Sequence, residues 1–340
     1  MKRQHCIGKT VCLVITGIFI LGGCGRQKQE IPESADKEYA VETEETEQTE
    51  ETEQTEGTVQ AEGTEQDDIV QDDTISEPET VEADWAQYFD GLNGAAVLYD
   101  PSAMRYTVYN RELAQTRRSP CSTFKIISSL AALESGAIDP DDSLRIWSGE
   151  TFWNEDWNHD MEFQEAFRVS CVWYFREIID EIGQETMQRE LDRLQYGNCD
   201  SSDWEGRQNT NNSNRALTGF WIESSLLISP QEQTEVMERI FGENSAYSQR
   251  TLDALRQVML TEQEETEITV YGKTGMGKAE GVVVDAWFTG FAERAEGPLY
   301  FCVYLGRTDG KTVSSAAAKE IAVRLVADAC CGLLPEADQN

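Results

Sequence analysis

Two short runs of apolar and β-branched residues, Ala95 to Tyr99 and Arg105 to Tyr109, flank the turn-forming stretch Asp100-Pro101-Ser102-Ala103 and predict a β-hairpin. The period then lengthens. Phe124, Ile127, Leu130 and Leu133 recur at helical spacing between Ser122 and Glu134, and Ser135-Gly136 supplies a stop. From Met161 to Gly242 the helical period returns in pieces: "MEFQEAF", "VWYFREIIDEIG", "ETMQRELDRL" and "PQEQTEVMERIFG". Between them "CDSSDWEGRQNTNNSNR" is too polar for either period and predicts a long loop. Strand-like runs resume at Ile268 to Lys273, Val282 to Phe291 and Leu299 to Leu305, and a last helical run spans Ser315 to Cys330. The order predicts an α+β fold: an antiparallel sheet assembled from both ends of the chain and flanked by helices. A helical subdomain inserted between the two sheet portions would leave a cleft at their junction.

The first 84 residues follow a different pattern. Lys2, Arg3 and Lys9 precede a short apolar run that ends in Leu21-Gly22-Gly23-Cys24, so residues 1–24 read as a bacterial lipoprotein export signal. The run is short for a retained span of about 20 residues. On this reading Cys24 becomes the lipid-bearing first residue, and the exported protein is tethered to the outer face of the bacterial cell membrane. Residues 25–84, centred on "ETEETEQTEETEQTEGT", have almost no aromatic residues and cannot build a core; their like charges predict an extended acidic stalk. Globular composition begins at Trp85, which predicts one folded domain over 85–335 and a short tail at 336–340.

Charge and rare residues narrow the chemistry. The 340 residues carry a formal net charge of -35, which excludes nucleic acid as a partner, although much of that charge lies in the stalk. The two histidines are His5, in the signal, and His159, so neither a Ser-His-Asp triad nor a His-rich metal site is expected, and no metal is assigned. Outside the signal and Cys24 the cysteines are Cys121, Cys171, Cys199, Cys302, Cys330 and Cys331. Their spacings match no zinc pattern and leave any disulfide pairing open.

A nucleophile therefore needs another base. In "SPCSTFKIISSL" Ser122 and Lys125 stand three apart, on one face of a helix, and the apolar neighbours Phe124, Ile126 and Ile127 favour a neutral amine. The spacing alone is unspecific, since Ser34-Ala35-Asp36-Lys37 repeats it in the stalk. Two further pieces add specificity by their order: Ser170-Cys171-Val172 opens a helical run, and Lys273-Thr274-Gly275 ends a strand.

Together with Tyr196-Gly197-Asn198, "FWIE" at Phe220 to Glu223 and "AWFTGF" at Ala286 to Phe291, these pieces resemble the class D (OXA-type) serine β-lactamases among the penicillin-recognising serine enzymes. The resemblance runs from about Leu92 to Ala329. It implies hydrolysis of β-lactam small molecules through an acyl-enzyme on Ser122, with Lys125 as the base. That lysine would bear a CO2-derived carbamate, with no other cofactor. By the same match Ser170 relays a proton, Lys273 supplies positive charge, Thr274 beside Gly275 holds the drug carboxylate, and the N–H groups of Ser122 and Met276 form an oxyanion hole. Val172 would keep the carbamate pocket dry and Trp221 would donate its indole N–H to the carbamate. Plainer readings stand beside these: Val172 and Trp221 as core residues, Thr274-Gly275 as a strand end, Tyr196-Gly197-Asn198 as a turn.

The chain departs from the family pattern in three places. Ile127 is larger than usual, the loop from Cys199 to Arg215 is longer, and "SSAAAKE" occupies the neighbourhood of the carboxylate-binding arginine, with Arg307 as a candidate substitute. An alternative is a penicillin-binding sensor or transpeptidase-like domain that acylates at Ser122 and deacylates slowly, the latter acting on peptidoglycan stem peptides. Val172 favours the hydrolase, because the sensors typically carry Asn there, whereas "VWYF" after Ser170 also resembles the sensor domains.

Overall fold

The computed structural model describes residues 77–261 and 268–334. The expected export signal with Cys24, the acidic run up to residue 76 and the tail 336–340 lie outside the described residues. Six strands form one sheet: β1 (Glu79–Glu82), β2 (Gly94–Asp100), β3 (Arg105–Tyr109), β4 (Thr269–Ala279), β5 (Val282–Glu293) and β6 (Leu299–Gly306). The helices are α1 (Ala86–Phe89), α2 (Arg111–Ala114), α3 (Lys125–Ser135), α4 (Phe163–Arg168), α5 (Val172–Ile182), α6 (Gln184–Leu194), α7 (Pro230–Phe241), α8 (Gln249–Met259) and α9 (Ser315–Cys330).

The strand order β1-β3-β2-β6-β5-β4 joins the two ends of the chain where β2 pairs antiparallel with β6, Gly94 opposite Leu305. The predicted hairpin forms as β2 and β3. Its Asp100 side chain accepts from the N–H groups of Ser102 and Ala103 and so fixes the turn. Every residue of β6 is buried, because helices cover both faces of the sheet. On one face α9 brings Ile321 and Leu325 against Phe301 and Val303, with Phe89 of α1. On the other, Met237 and Phe241 of α7 pack with Phe291 and Tyr300 and join the core of the helical half. Burial of each such side chain stabilises the fold by about 1.5–3 kcal/mol.

Three expectations change. β1 runs parallel to β3, so the sheet is mixed rather than purely antiparallel. β1 also lies inside the stretch assigned to the stalk. Its acidic composition hides a strand because Glu79 and Glu82 pair with Arg105 and Arg111 at 3.3 and 3.4 Å, while Ala83 and Trp85 just beyond are buried. Such exposed pairs are worth at most about 1 kcal/mol, so the ladder to β3 holds the strand. Helix α8 went unread in a polar stretch, although Leu252, Leu255 and Met259 are buried at helical spacing and Ser248 caps its start. The long polar loop is irregular from Cys199 to the short 3-10 turn at Arg215–Leu217.

Candidate active site

The nucleophile candidate sits on a turn rather than in the helix. Residues Cys121–Phe124 form a 3-10 turn that runs directly into α3. Ser122 is therefore at a helix start, where backbone N–H groups lack intrahelical acceptors. The turn is braced from below: Thr123 Oγ1 donates to the Pro120 carbonyl at 2.8 Å and accepts from Gln233 Nε2 at 2.8 Å, all buried.

Lys125, one turn on, is 1% exposed, and its Nζ lies 3.1 Å from Ser122 Oγ. Burial pulls its pKa down to about 8. The ring of Phe175, with its centroid 5.3 Å from Nζ, closes one side. The flanking thiols are themselves quiet: burial pushes Cys121 up to about 12 and Cys171 up to about 11, so both stay protonated near neutral pH.

Ser170 enters the same cleft from the turn between α4 and α5. Its φ is +59°, a left-handed conformation that costs a non-glycine residue on the order of 1–3 kcal/mol. Its Oγ is buried without a hydrogen-bond partner. Strain and an unsatisfied hydroxyl at one residue are what a group kept for a reacting partner looks like. Val172 follows at the first position of α5 and lines the cleft.

The opposite wall is β4, the edge strand of the sheet. Lys273 is 4% exposed; its Nζ donates to the Thr274 carbonyl at 3.1 Å and to Thr274 Oγ1 at 3.3 Å. Burial, then the charges of Lys125 and Lys319, push its pKa well below the usual lysine range. Gly275 permits close approach: a Cβ there would meet the Pro120 carbonyl oxygen and Thr123 Cγ2, both at 2.9 Å. The backbone side of Met276 follows from alternation. The Val270 carbonyl points away from β5 and accepts from Thr261 N–H, and the β4–β5 register is unbroken from Thr269 to Gly277. Met276, six residues on, therefore turns its N–H to that same outward side, and the residue lines the cleft.

Ser122, Ser170, Val172, Thr274, Gly275 and Met276 thus line one cleft of about 430 Å³, with Lys125 and Lys273 buried beside it. Two further residues, like Lys125, are not part of that lining. Trp221 is 1% exposed and does not line the cleft; its ring stacks on Phe124 with centroids 5.9 Å apart, and its carbonyl accepts from Cys121 N–H at 3.0 Å and Ser119 Oγ at 3.1 Å. Arg307 does not line the cleft either. It continues the pairing beyond β6 through its N–H to the Val284 carbonyl, and its side chain turns to solvent 4.0 Å from Asp309.

Sequence reasoning missed other lining residues. Trp153 is 72% exposed at the rim, with Lys278 Nζ 5.9 Å from its ring centroid. Asn209, Asn211 and Asn212 bring the long polar loop to the same rim, and Ser315 brings the start of α9. The unusual run of asparagines was the available signal. Among the described residues His159 lies beside Glu165, away from the cleft, the six cysteines are free, and no group of His, Cys, Asp and Glu side chains is placed to hold a metal.

Comparison with known proteins shows the family. The sequence model of the penicillin binding protein transpeptidase domain matches residues 94–327, and the chain belongs to that family. It is 29% identical over 245 residues to the regulatory protein BlaR1 of Bacillus licheniformis, covering 72% of this chain and 38% of BlaR1, so it spans about four tenths of that relative. It is 31% identical to the β-lactamase OXA-1 of Escherichia coli over 70% of this chain and 85% of that one. Among solved structures, the C-terminal domain of the Bacillus licheniformis BlaR penicillin-receptor superposes with a TM-score of 0.65 at 28% identity, over 77% of this chain and all of that domain. A class D β-lactamase from Bacillus subtilis gives 0.62 at 29% identity, over 74% and 96%. The fold is thus the β-lactamase/transpeptidase-like fold.

Proposed function

We propose that this chain hydrolyses β-lactams through an acyl-enzyme on Ser122, with Lys125 as general base. The observation that carries the reading is the 3.1 Å contact between Ser122 Oγ and a buried amine whose surroundings favour its neutral form. The neutral amine accepts the Ser122 hydroxyl proton as Oγ attacks the lactam carbonyl carbon. The N–H groups of Ser122 and Met276 face the negative charge that develops on the lactam oxygen. As the C–N bond breaks, the Ser170 hydroxyl passes a proton to the leaving nitrogen and recovers one from Lys125. An anionic substrate beside Thr274 restores the charge that burial takes from Lys273. Water, deprotonated by the same base, then cleaves the ester and regenerates Ser122.

A CO2-derived carbamate on Lys125 would supply an oxygen base in place of the amine. The unpartnered hydroxyl of Ser170 suits it as a donor, and Val172 offers no competing polar group. Trp221 packs on Phe124, and its indole N–H is the donor that the resemblance assigns to that carbamate. A second reading, in which the chain acylates and releases product slowly as a penicillin receptor would, is favoured by the likeness to the BlaR penicillin-receptor domain. The pattern of residues 1–24 supports export and a lipid anchor at Cys24.

The test is turnover of benzylpenicillin by the full chain. The proposal expects many equivalents opened per protein and none with Ser122→Ala; consumption of a single equivalent would establish the receptor reading.

A further inference from the structure

The two donors assigned to the oxyanion hole lie on separate pieces of chain, Ser122 on the 3-10 turn before α3 and Met276 on β4. Something must fix their separation. The ladder to β5 and the close approach of Gly275 to the nucleophile turn hold one side of Met276, but the β4–β5 register shifts between Gly277 and Lys278, immediately beyond it. A bulge there interrupts the ladder next to the donor, so the strand beyond it needs another hold.

Glu223 spans that gap. Its carboxylate Oε1 accepts from the Lys278 N–H at 2.5 Å, and its Oε2 accepts from Asn211 Nδ2 at 2.5 Å. Asn211 Nδ2 also donates to the Lys278 carbonyl at 2.6 Å, so the backbone N–H and C=O of Lys278 are both held. At its other end the Glu223 backbone N–H donates to Ser119 Oγ at 2.8 Å, three residues before the nucleophile. Two residues earlier, the Trp221 carbonyl accepts from Cys121 N–H. The arrangement is built against a local preference, since Glu223 has φ +51°.

We propose that Glu223, steadied by Asn211 from the long polar loop, is a positioning residue that sets the distance between the Ser122 and Met276 N–H groups. The inference rests on the acylation chemistry proposed above. The long loop thereby acquires a defined role, since Asn211 completes a clamp on the strand that carries one oxyanion donor.

The test compares the full chain with Glu223→Ala, Glu223→Gln and Asn211→Ala by two readouts: the rate of acylation by benzylpenicillin, and the infrared stretching frequency of the acyl-enzyme carbonyl. A displacement near 1 Å at a reacting centre costs up to about 100-fold. Glu223→Ala is expected to slow acylation roughly 10- to 100-fold and to raise the carbonyl frequency as its hydrogen bonds weaken, with Glu223→Gln in between. Asn211→Ala, an exposed loop change that leaves the fold intact, should shift both readouts in the same direction by less. Unchanged rate and frequency in Asn211→Ala and in any folded Glu223 variant would overturn the clamp while leaving the Ser122 chemistry standing. A wild-type chain that forms no adduct would overturn both.

Discussion

Lys125 and Lys273, the two lysines buried beside the cleft, repel one another: after burial, the charge of Lys125 is the next cause that lowers the pKa of Lys273. Neither has a carboxylate ion-pair partner among the described residues, which is unusual for buried lysine. Burial lowers the Lys125 pKa to about 8, so a fraction of the amine is neutral at pH 7, with Nζ 3.1 Å from Ser122 Oγ. Burial favours the neutral form of Lys273, whose Nζ donates to Thr274.

The first consequence is a pH dependence of acylation. With the Lys125 pKa at about 8, the neutral fraction of the amine grows about tenfold per pH unit below that value. The acylation rate measured by stopped flow should rise from pH 6 and level off near pH 8. A profile flat over that range would remove the free amine as the base, and a rate raised by added bicarbonate would assign the role to the carbamate.

The same shift predicts a stability effect. The folded pKa lies below the unfolded value of 10.5, so the unfolded chain binds the extra proton between about pH 8 and 10.5. Burying this lysine therefore destabilises the fold fully below about pH 8, and the penalty fades as pH rises to 10.5. Lys125→Met should stabilise the protein at pH 7, by up to about 3 kcal/mol, with an advantage that shrinks above pH 8. Denaturant unfolding at pH 7 and pH 9.5 measures both terms.

Gly275→Ala should separate β4 from the nucleophile turn. The added methyl would meet the Pro120 carbonyl and Thr123 Cγ2 at 2.9 Å, and the Pro120 oxygen belongs to backbone that cannot swing aside. A loss of about 1–3 kcal/mol in stability and a larger fall in acylation than in benzylpenicillin affinity are expected.

Trp221→Ala separates the resemblance from the packing. A carbamate donor would slow deacylation selectively and let adduct accumulate. The stacking on Phe124 and the burial instead predict a loss of about 3–5 kcal/mol in stability, with acylation and deacylation both slowed. Thermal melts together with single-turnover kinetics distinguish the two.

Much of this was legible from the residues. The hairpin, the four helical pieces and Ser315 to Cys330 followed from periodicity, and the three motifs fell into one cleft because their order matched a known arrangement. What stayed hidden depended on tertiary partners. β1 was masked by glutamates whose arginine partners lie more than twenty residues away. The left-handed backbone of Ser170 and the missing partner of its hydroxyl exist only once α4 and α5 are placed. Arg307 follows Lys273-Thr274-Gly275 in the chain and so was the candidate for the family's carboxylate-binding arginine, but the direction of a side chain at a strand end is set by the ladder. Lys319 was passed over within "SSAAAKE", although its charge reaches Lys273.

The central claim, a turnover-competent acyl-enzyme at Ser122, is tested most directly by intact-mass spectrometry of the full chain mixed with excess benzylpenicillin and bicarbonate, following protein adduct and opened drug together. The account predicts a transient adduct of one drug mass, absent in Ser122→Ala, with many equivalents of opened drug per protein. Opened drug without any dependence on Ser122, or no adduct at any time, would contradict it.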